Sequence, residues 1–404
     1  MKIIRIKQLQ IIYTAIIALC MISPPLANLL ELILFFGLFF CRSLHETLLS
    51  YVKTFDFKIH LSFVLLLLLG VLYPLVDTQI YLSSILNWRK FLLLPLGIIL
   101  FHGDQSQKQK SLTVIFFSIL ILTVLNLFYK SHLLYFFNNE VIRYEIGTTS
   151  SEGMFVAAGL AIVLSSIVNK SKTPGKLQWI EIISAIFLVI YIALFTTGRS
   201  GYLAMLAVLI FMAMKYIKVH QLYSSFKSWF LLVGVTLFTV ILLMSSKTSS
   251  DRIDLAIVEL QQSEKNANEN LVTSIGQRVI FWKNTVEMIP KYFILGAGTG
   301  AFKAAYTEQV AGKTGLTAAI TQDPHNQYLK ILIEQGILGL ILLIFMIART
   351  LLDKDVENDN FLLGSAVIFI WILTSCFNAH FTTFMEGTFI WGWMGLMNKY
   401  TSKK

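Results

Sequence analysis

A chain of 404 residues with 56% hydrophobic and only 14% charged residues is not an ordinary soluble protein, because soluble domains carry roughly a quarter charged residues. The apolar residues come in blocks of spanning length, about 20 residues, from end to end. That leaves no stretch for a soluble domain of ordinary size and is too uniform for the alternating strands of a barrel. The formal charge of +10 would point a soluble protein toward nucleic acid or anionic partners. In a membrane protein it follows first from Lys and Arg collecting in cytoplasmic loops, so no nucleic-acid partner is implied.

The fold class expected is all-α: a polytopic membrane protein of about 12 transmembrane helices, with residues 1–404 as a single integral membrane domain. The opening MKIIRIK and the apolar run behind it read as an uncleaved first span. Ser23-Pro24-Pro25 follows instead of a small-x-small cleavage site, and apolar sequence resumes at once. The expected spans are 9–23, 26–41, 59–76, 80–101, 111–128, 153–169, 179–197, 200–217, 228–246, 328–349, 361–379 and 382–398. Residues 247–327 form one long polar loop between the ninth and tenth. Within it, 251–264 and 276–290 have helical periodicity. Gly296, Gly298 and Gly300 then mark a turn, and Pro324 breaks the chain before the next helix.

Basic residues orient the spans. With Lys2, Arg5 and Lys7 in the cytoplasm, Arg42, Lys53 and Lys58, then Lys108 and Lys110, then Lys170, Lys172 and Lys176 follow on the same side. So do Lys215, Lys218 and Lys227, Arg349 and Lys354, and the tail with Lys399, Lys403 and Lys404. The short opposite turns near 24, 78 and 381 hold no Lys or Arg. This is the positive-inside pattern for an even number of spans. It puts both termini in the cytoplasm and the long loop outside, where a loop of that length translocates regardless of charge.

Cys20, Cys41 and Cys376 lie in or beside apolar segments with no CxxC spacing. Neither a disulfide framework nor a thiolate metal site is indicated. The seven histidines lack HxxxH spacing and no carboxylate cluster surrounds His325, so no metal is expected. Gly296-Ala297-Gly298-Thr299-Gly300 lacks the Lys-Ser/Thr that completes a phosphate loop.

Three residues stand out. Arg199, in FTTGRSGYLAML, lies between two apolar spans, with Gly198 and Gly201 making a tight turn. A guanidinium near lipid costs several kcal/mol unless paired, so it is either a snorkelling interfacial arginine or an anion clamp whose planar fork suits phosphate oxygens. Arg278, in VTSIGQRVIFWKN, falls in the first turn of a helix that Thr273 or Ser274 would cap, with Gln277 at capping-box spacing from Ser274. There an arginine opposes the helix dipole, a conflict that a resident anion removes; otherwise it is a solvated loop arginine. His325, in TQDPHNQYLKILIEQGILGL, sits at a helix entry set by Asp323 and Pro324, with Asn326 and Gln327 adding polar groups. It is either a capping histidine or a proton acceptor on a rigid element. Arg89 and Lys90, early in the fourth span, are either snorkelling or secondary phosphate contacts. Glu334, His380 and Glu386 receive no role.

Three stretches taken in order resemble the O-antigen ligase/polymerase family of bacterial envelope glycosyltransferases. They are TTGRSGYLAML at 196–206, the SIGQR to LGAGTG run at 274–300, and DPHNQYLKILIEQGILG at 323–339. The resemblance covers roughly residues 190–345; the earlier spans agree in number and hydropathy only. It implies a donor glycan on undecaprenyl diphosphate, a lipid A-core acceptor, surrounding membrane lipids and no cofactor. It implies that Arg199 and Arg278 hold the diphosphate and that His325 is the general base. Asn326, Gln327, Arg89 and Lys90 are candidate secondary contacts read from the residues alone. The ligase branch fits first. A polymerase extending lipid-linked glycan is second, and a protein O-oligosaccharyltransferase third. A transporter of lipid-linked glycan is the non-enzymatic alternative, but transporters place their sites near the bilayer midplane, whereas these residues cluster at one surface.

Overall fold

The computed structural model describes residues 5–72, 76–130, 149–170, 178–196, 198–219, 226–245, 251, 254, 274–351 and 359–398. Among them all regular structure is helical. In chain order the helices are α1 (Ile6–Leu19), α2 (Pro24–Phe39), α3 (Leu44–Val52), α4 (Phe55–Leu69), α5 (Thr78–Trp88), α6 (Leu93–Leu100), α7 (Gln105–Lys130) and α8 (Thr149–Lys170). Then come α9 (Gln178–Phe195), α10 (Arg199–Val219), α11 (Phe226–Ser245), α12 (Ser274–Tyr292), α13 (Phe302–Val310), α14 (Gln327–Leu351), α15 (Asp359–Thr374) and α16 (Phe384–Met397).

Six helices or helix runs among the described residues are long and apolar enough to cross a membrane: Phe55–Leu72, Thr78–Leu100, Gln105–Tyr129, Ser151–Val168, Arg199–Ile217 and Gln327–Leu351. The count reaches 7 if Pro24–Phe39 and Leu44–Val52 form one span. Ile6–Leu19, Trp179–Phe195 and Gly364–Thr374 are shorter apolar helices. The chain is a multi-pass membrane protein.

The helix ends follow local chemistry. Pro24 and Pro25 occupy the first turn of α2, where a missing N–H costs nothing. Thr54 Oγ1 accepts from Phe57 N at 3.2 Å at the start of α4, and Asp77 Oδ1 from Ile80 N at 2.8 Å at the start of α5. Both are side-chain caps for amides with no helical partner. The expected helix over 251–264 lies, apart from residues 251 and 254, outside the described residues. The one expected over 276–290 begins at Ser274 and runs through Pro290 to Tyr292. The fourth expected span is interrupted by a short 310 stretch, Arg89–Leu92, between α5 and α6. The eleventh stops at Thr374, leaving 375–383 irregular ahead of α16.

The chain divides into two compact units. One comprises Met1–Ser43, Leu100–Ile253 and Asp353–Thr374. Its centre is α8, whose residues Met154–Ala161 are buried throughout. There α8 and α10 meet backbone to backbone: a Cβ on Gly201 would lie 2.9 Å from the Gly153 Cα. Gly201 therefore serves a helix crossing at the start of α10 as well as the tight turn expected from the sequence. Glu152, beside that crossing, accepts from Tyr191 OH and, at 3.3 Å, from Asn126 Nδ2. A buried carboxylate needs such donors to be tolerated.

The other unit comprises Leu44–Ile99, Asp254–Leu352 and Ser375–Lys404. An aromatic nucleus of Phe63, Phe91, Phe381 and Trp391 fills it, with ring centroids 5.0–5.1 Å apart. Arg349 grips Asp56 with Nε on Oδ1 at 3.0 Å and a second nitrogen on Oδ2 at 3.4 Å, tying the end of α14 to the start of α4. The described part of the polar loop is ordered around its own core of Phe281, Met288, Tyr292, Phe302, Tyr306 and Ile333.

Helix α14 is broken at Gly336, where φ is 69° and ψ −171°. A break frees backbone groups that lipid cannot satisfy, and the 293–300 segment takes them up. Ala297 N donates to Ile333 O at 2.7 Å, Gly298 N to Glu334 O at 2.9 Å, and Ile337 N to Phe293 O at 2.7 Å. The approach admits no side chain. A Cβ on Gly296 would lie 2.6 Å from Gln335 N, and one on Gly336 2.8 Å from Gly296 N. The glycine-rich stretch is therefore a plug for a broken helix as well as the turn expected of it.

Candidate functional site

The loop entering α14 and the irregular 375–383 segment face each other within the second unit. Asp323 organises the loop. Its Oδ1 accepts from His325 N at 2.6 Å and its Oδ2 from Lys330 Nζ at 3.3 Å. His325 adopts φ 53°, a left-handed conformation uncommon outside glycine but better tolerated by His than by most residues. The helix itself begins two residues later, at Gln327. His325 is thus held at the helix entry, two residues ahead of the helix, by the Asp323 turn.

Asn326 is the cap, its Oδ1 accepting from Tyr328 N and Leu329 N at 3.0 Å each, while its Nδ2 donates to Cys376 O at 3.0 Å. Gln327 is buried. Its backbone N donates to Ser375 O at 2.9 Å and its Oε1 accepts from Phe381 N at 2.9 Å. Both side chains are thus engaged in fastening the 375–383 segment.

Helix α12 closes on the loop from another direction. Trp282 Nε1 donates to Pro324 O at 2.9 Å, and the Phe281 ring stacks on the His325 ring at 6.2 Å between centroids and 27° between planes. Arg278, half-buried, lies one helical turn before Phe281 on the same helix. The helix is itself braced. Lys313 Nζ donates to Asn284 Oδ1 at 2.8 Å and to Glu287 Oε2 at 2.6 Å, and Asn284 Nδ2 donates to Tyr306 OH at 2.9 Å. The Lys313 hydrogen bond holds the Glu287 carboxyl below its usual range. One rigid framework therefore fixes both the Arg278 backbone and the His325 ring.

Lys90 is 1% exposed rather than snorkelling. Its Nζ donates to Thr382 O at 2.8 Å and lies 5.5 Å from the Phe384 ring centroid, over which Arg89 also sits at 5.7 Å. The pair thus braces the far end of the 375–383 segment. His380, buried in that segment, has Nδ1 3.8 Å from Glu386 Oε1. Glu334 is buried in α14 beside Gln335, with Nε2 to Oε2 at 3.4 Å.

Arg199 belongs to the other unit and is the first residue of α10. The connection from α9 is tight. Gly201 N donates to Gly198 O at 2.9 Å, and Tyr202 OH donates to Thr196 O at 2.7 Å. The nearby Gly153–Gly201 crossing fixes the backbone from which Arg199 projects.

Residues 184–344 match the model of the O-antigen ligase family. No curated protein matches the chain. The O-antigen ligase match takes in Arg199, Arg278 and His325 and stops short of the 375–383 segment. It supports glycosyl transfer of the O-antigen ligase or polymerase type, in envelope glycan assembly.

The sequence reading missed Phe281, Trp282 and Asn378. Asn378 Oδ1 lies 3.2 Å from His325 Nδ1. The signal available was the run Ser375, Asn378, His380, Thr382, Thr383, unusually polar for the middle of an apolar stretch.

Proposed function

We propose that this chain is an O-antigen ligase. It moves a glycan from undecaprenyl diphosphate to a sugar hydroxyl of lipid A-core on the periplasmic face of the inner membrane, with inversion at the anomeric carbon. The observation that carries the reading is the α12 framework, which holds a guanidinium-bearing turn and a stacked imidazole together in the stretch that matches the family. Arg278 binds the diphosphate and stabilises the charge that grows on the leaving oxygen. Arg199, at the start of α10, is proposed as a second diphosphate ligand. His325 takes the acceptor proton as the hydroxyl oxygen bonds to the anomeric carbon. The bond from that carbon to the diphosphate breaks with its electron pair on the diphosphate. The donor carries its own activation, so no nucleotide is consumed.

Deleting the gene in its host tests the assignment. A ligase deletion leaves lipid A-core without O-antigen while lipid-linked O-antigen accumulates. Core bearing a single repeat unit would instead make the chain a polymerase.

The orientation proposed from the basic residues has its own test. A cysteine at Ala311, in the ordered part of the polar loop, is expected to react with an impermeant thiol reagent from the periplasm. One at Lys215 is not. Labelling of the second position in intact spheroplasts would invert the topology.

A further inference from the structure

We propose that Asn378 is the positioning residue that makes Nε2 of His325 the basic atom. The inference rests on the reading of His325 as the general base and deepens it. The contact is 3.2 Å between His325 Nδ1 and Asn378 Oδ1. A carboxamide oxygen only accepts, so the imidazole nitrogen facing it carries the hydrogen. In a neutral imidazole that leaves the lone pair on Nε2, on the opposite edge of the ring.

The structure holds the ring from three sides. Asp323 and the left-handed backbone fix where the side chain starts. Phe281 fixes the ring plane by stacking. Asn378 fixes the remaining freedom, the half-turn about the Cβ–Cγ bond that would put Cδ2 in the place of Nδ1. For that task Asn378 must itself be immobile, and the irregular 375–383 segment is tied on both sides of it. Ahead of it, Ser375 O and Cys376 O accept from Gln327 N and Asn326 Nδ2. Behind it, Phe381 N donates to Gln327 Oε1, Phe381 O accepts from Trp391 Nε1 at 3.1 Å, and Thr382 O accepts from Lys90 Nζ. Unwinding the start of a hydrophobic helix hairpin is costly. Here it presents one amide to one imidazole.

The amide has a chemical consequence. When Nε2 takes the hydroxyl proton, the ring becomes a cation. A carboxylate at 378 would stabilise that cation and keep the ring protonated to higher pH. The neutral amide orients without doing so, and the ring returns its proton after each transfer. The elements packed around the ring carry Asp323, Tyr328, Lys330 and Glu334 on its own segment, Arg278, Lys283, Glu287, Lys291 and Tyr292 on α12, and Cys376 and His380 on the 375–383 segment. Asp323 is engaged by Lys330 and by the His325 main chain.

The experiment uses the full-length detergent-solubilised protein, with undecaprenyl diphosphate-linked glycan and lipid A-core from the host. Transfer is measured against pH for the wild type, Asn378→Asp and Asn378→Leu. Asp still accepts from Nδ1–H, so that variant is expected to keep transfer at high pH while its acid limb moves up by about one pH unit. Leu cannot accept, and its rate is expected to fall about 10-fold or more across the whole profile. An Asn378→Asp limb that coincides with the wild type, or wild-type rates from Asn378→Leu, would overturn the proposal. If either variant fails to insert, 15N-histidine NMR of the wild type, with His325 identified by difference against His325→Gln, reads the tautomer directly. Hydrogen on Nδ1 supports the proposal and hydrogen on Nε2 overturns it. A pH-independent wild-type rate, or full transfer by His325→Gln, strikes instead at the general-base reading, so the two failures are separate.

Discussion

His325→Ala is expected to insert normally, to bind undecaprenyl diphosphate-linked glycan as the wild type does, and to transfer it about 10²- to 10⁴-fold more slowly, the usual worth of general-base help. A base works in the chemical step, so turnover falls while donor binding stays. The residue lies outside α14 and its side chain is partly exposed, so its removal opens no cavity in the core. The sign of the pH dependence follows from the chemistry. Only the neutral ring accepts a proton, so wild-type transfer declines as the ring becomes protonated on acidification. His325→Gln decides between accepting a proton and merely orienting the hydroxyl. Glutamine keeps a hydrogen-bond acceptor in nearly the same place and takes no proton. Transfer by that variant within about 10-fold of wild type, with a flat pH profile, would make His325 a positioning residue and end the base assignment.

What the sequence made legible and what it hid divide along the distance over which partners meet. Arg278 and His325 stand 47 positions apart, yet both were visible because each breaks a local rule. One is a cation at the positive end of a helix, the other an imidazole at the mouth of a hydrophobic one. That α12 carries both on one framework was not legible, because the Phe281–His325 stack and the Trp282–Pro324 hydrogen bond are tertiary facts. Asn378 was missed for a related reason. Its segment reads as the junction of two spans, and only the bonds from Asn326, Gln327 and Lys90 show that it is unwound and held. Lys90 misled in the opposite direction. A lysine early in a span ordinarily snorkels, but this one has a backbone carbonyl 292 positions away to receive it. The break at Gly336 is hidden inside IEQGILGL, whose apolar spacing suits a continuous helix. It becomes intelligible once Gly296 and Gly298 are seen against the freed carbonyls.

The arginines give the second large effect. Arg278→Lys is expected to lower transfer by about 30- to 1000-fold at equal membrane abundance, equivalent to about 2–4 kcal/mol of transition-state stabilisation. The substitution keeps the charge and removes the planar fork, so a loss this size identifies bidentate contact with phosphate oxygens rather than a general field effect. The helix around it does not yield to compensate. Asn284 and Glu287 are clasped by Lys313, and Trp282 is bonded to Pro324. A lysine ammonium on this fixed backbone reaches one oxygen where the guanidinium reaches two. Charge on the leaving oxygen is largest in the transition state, so the loss is expected mainly in turnover, with a smaller change in the donor concentration for half-maximal rate. Arg199→Lys is expected to behave alike, because the Gly153–Gly201 crossing pins its helix start as firmly. In both variants the protein should show wild-type thermal stability, since neither side chain lies in a buried core. Near-normal transfer by Arg278→Lys would leave this arginine as a surface cation and require the diphosphate to be held elsewhere.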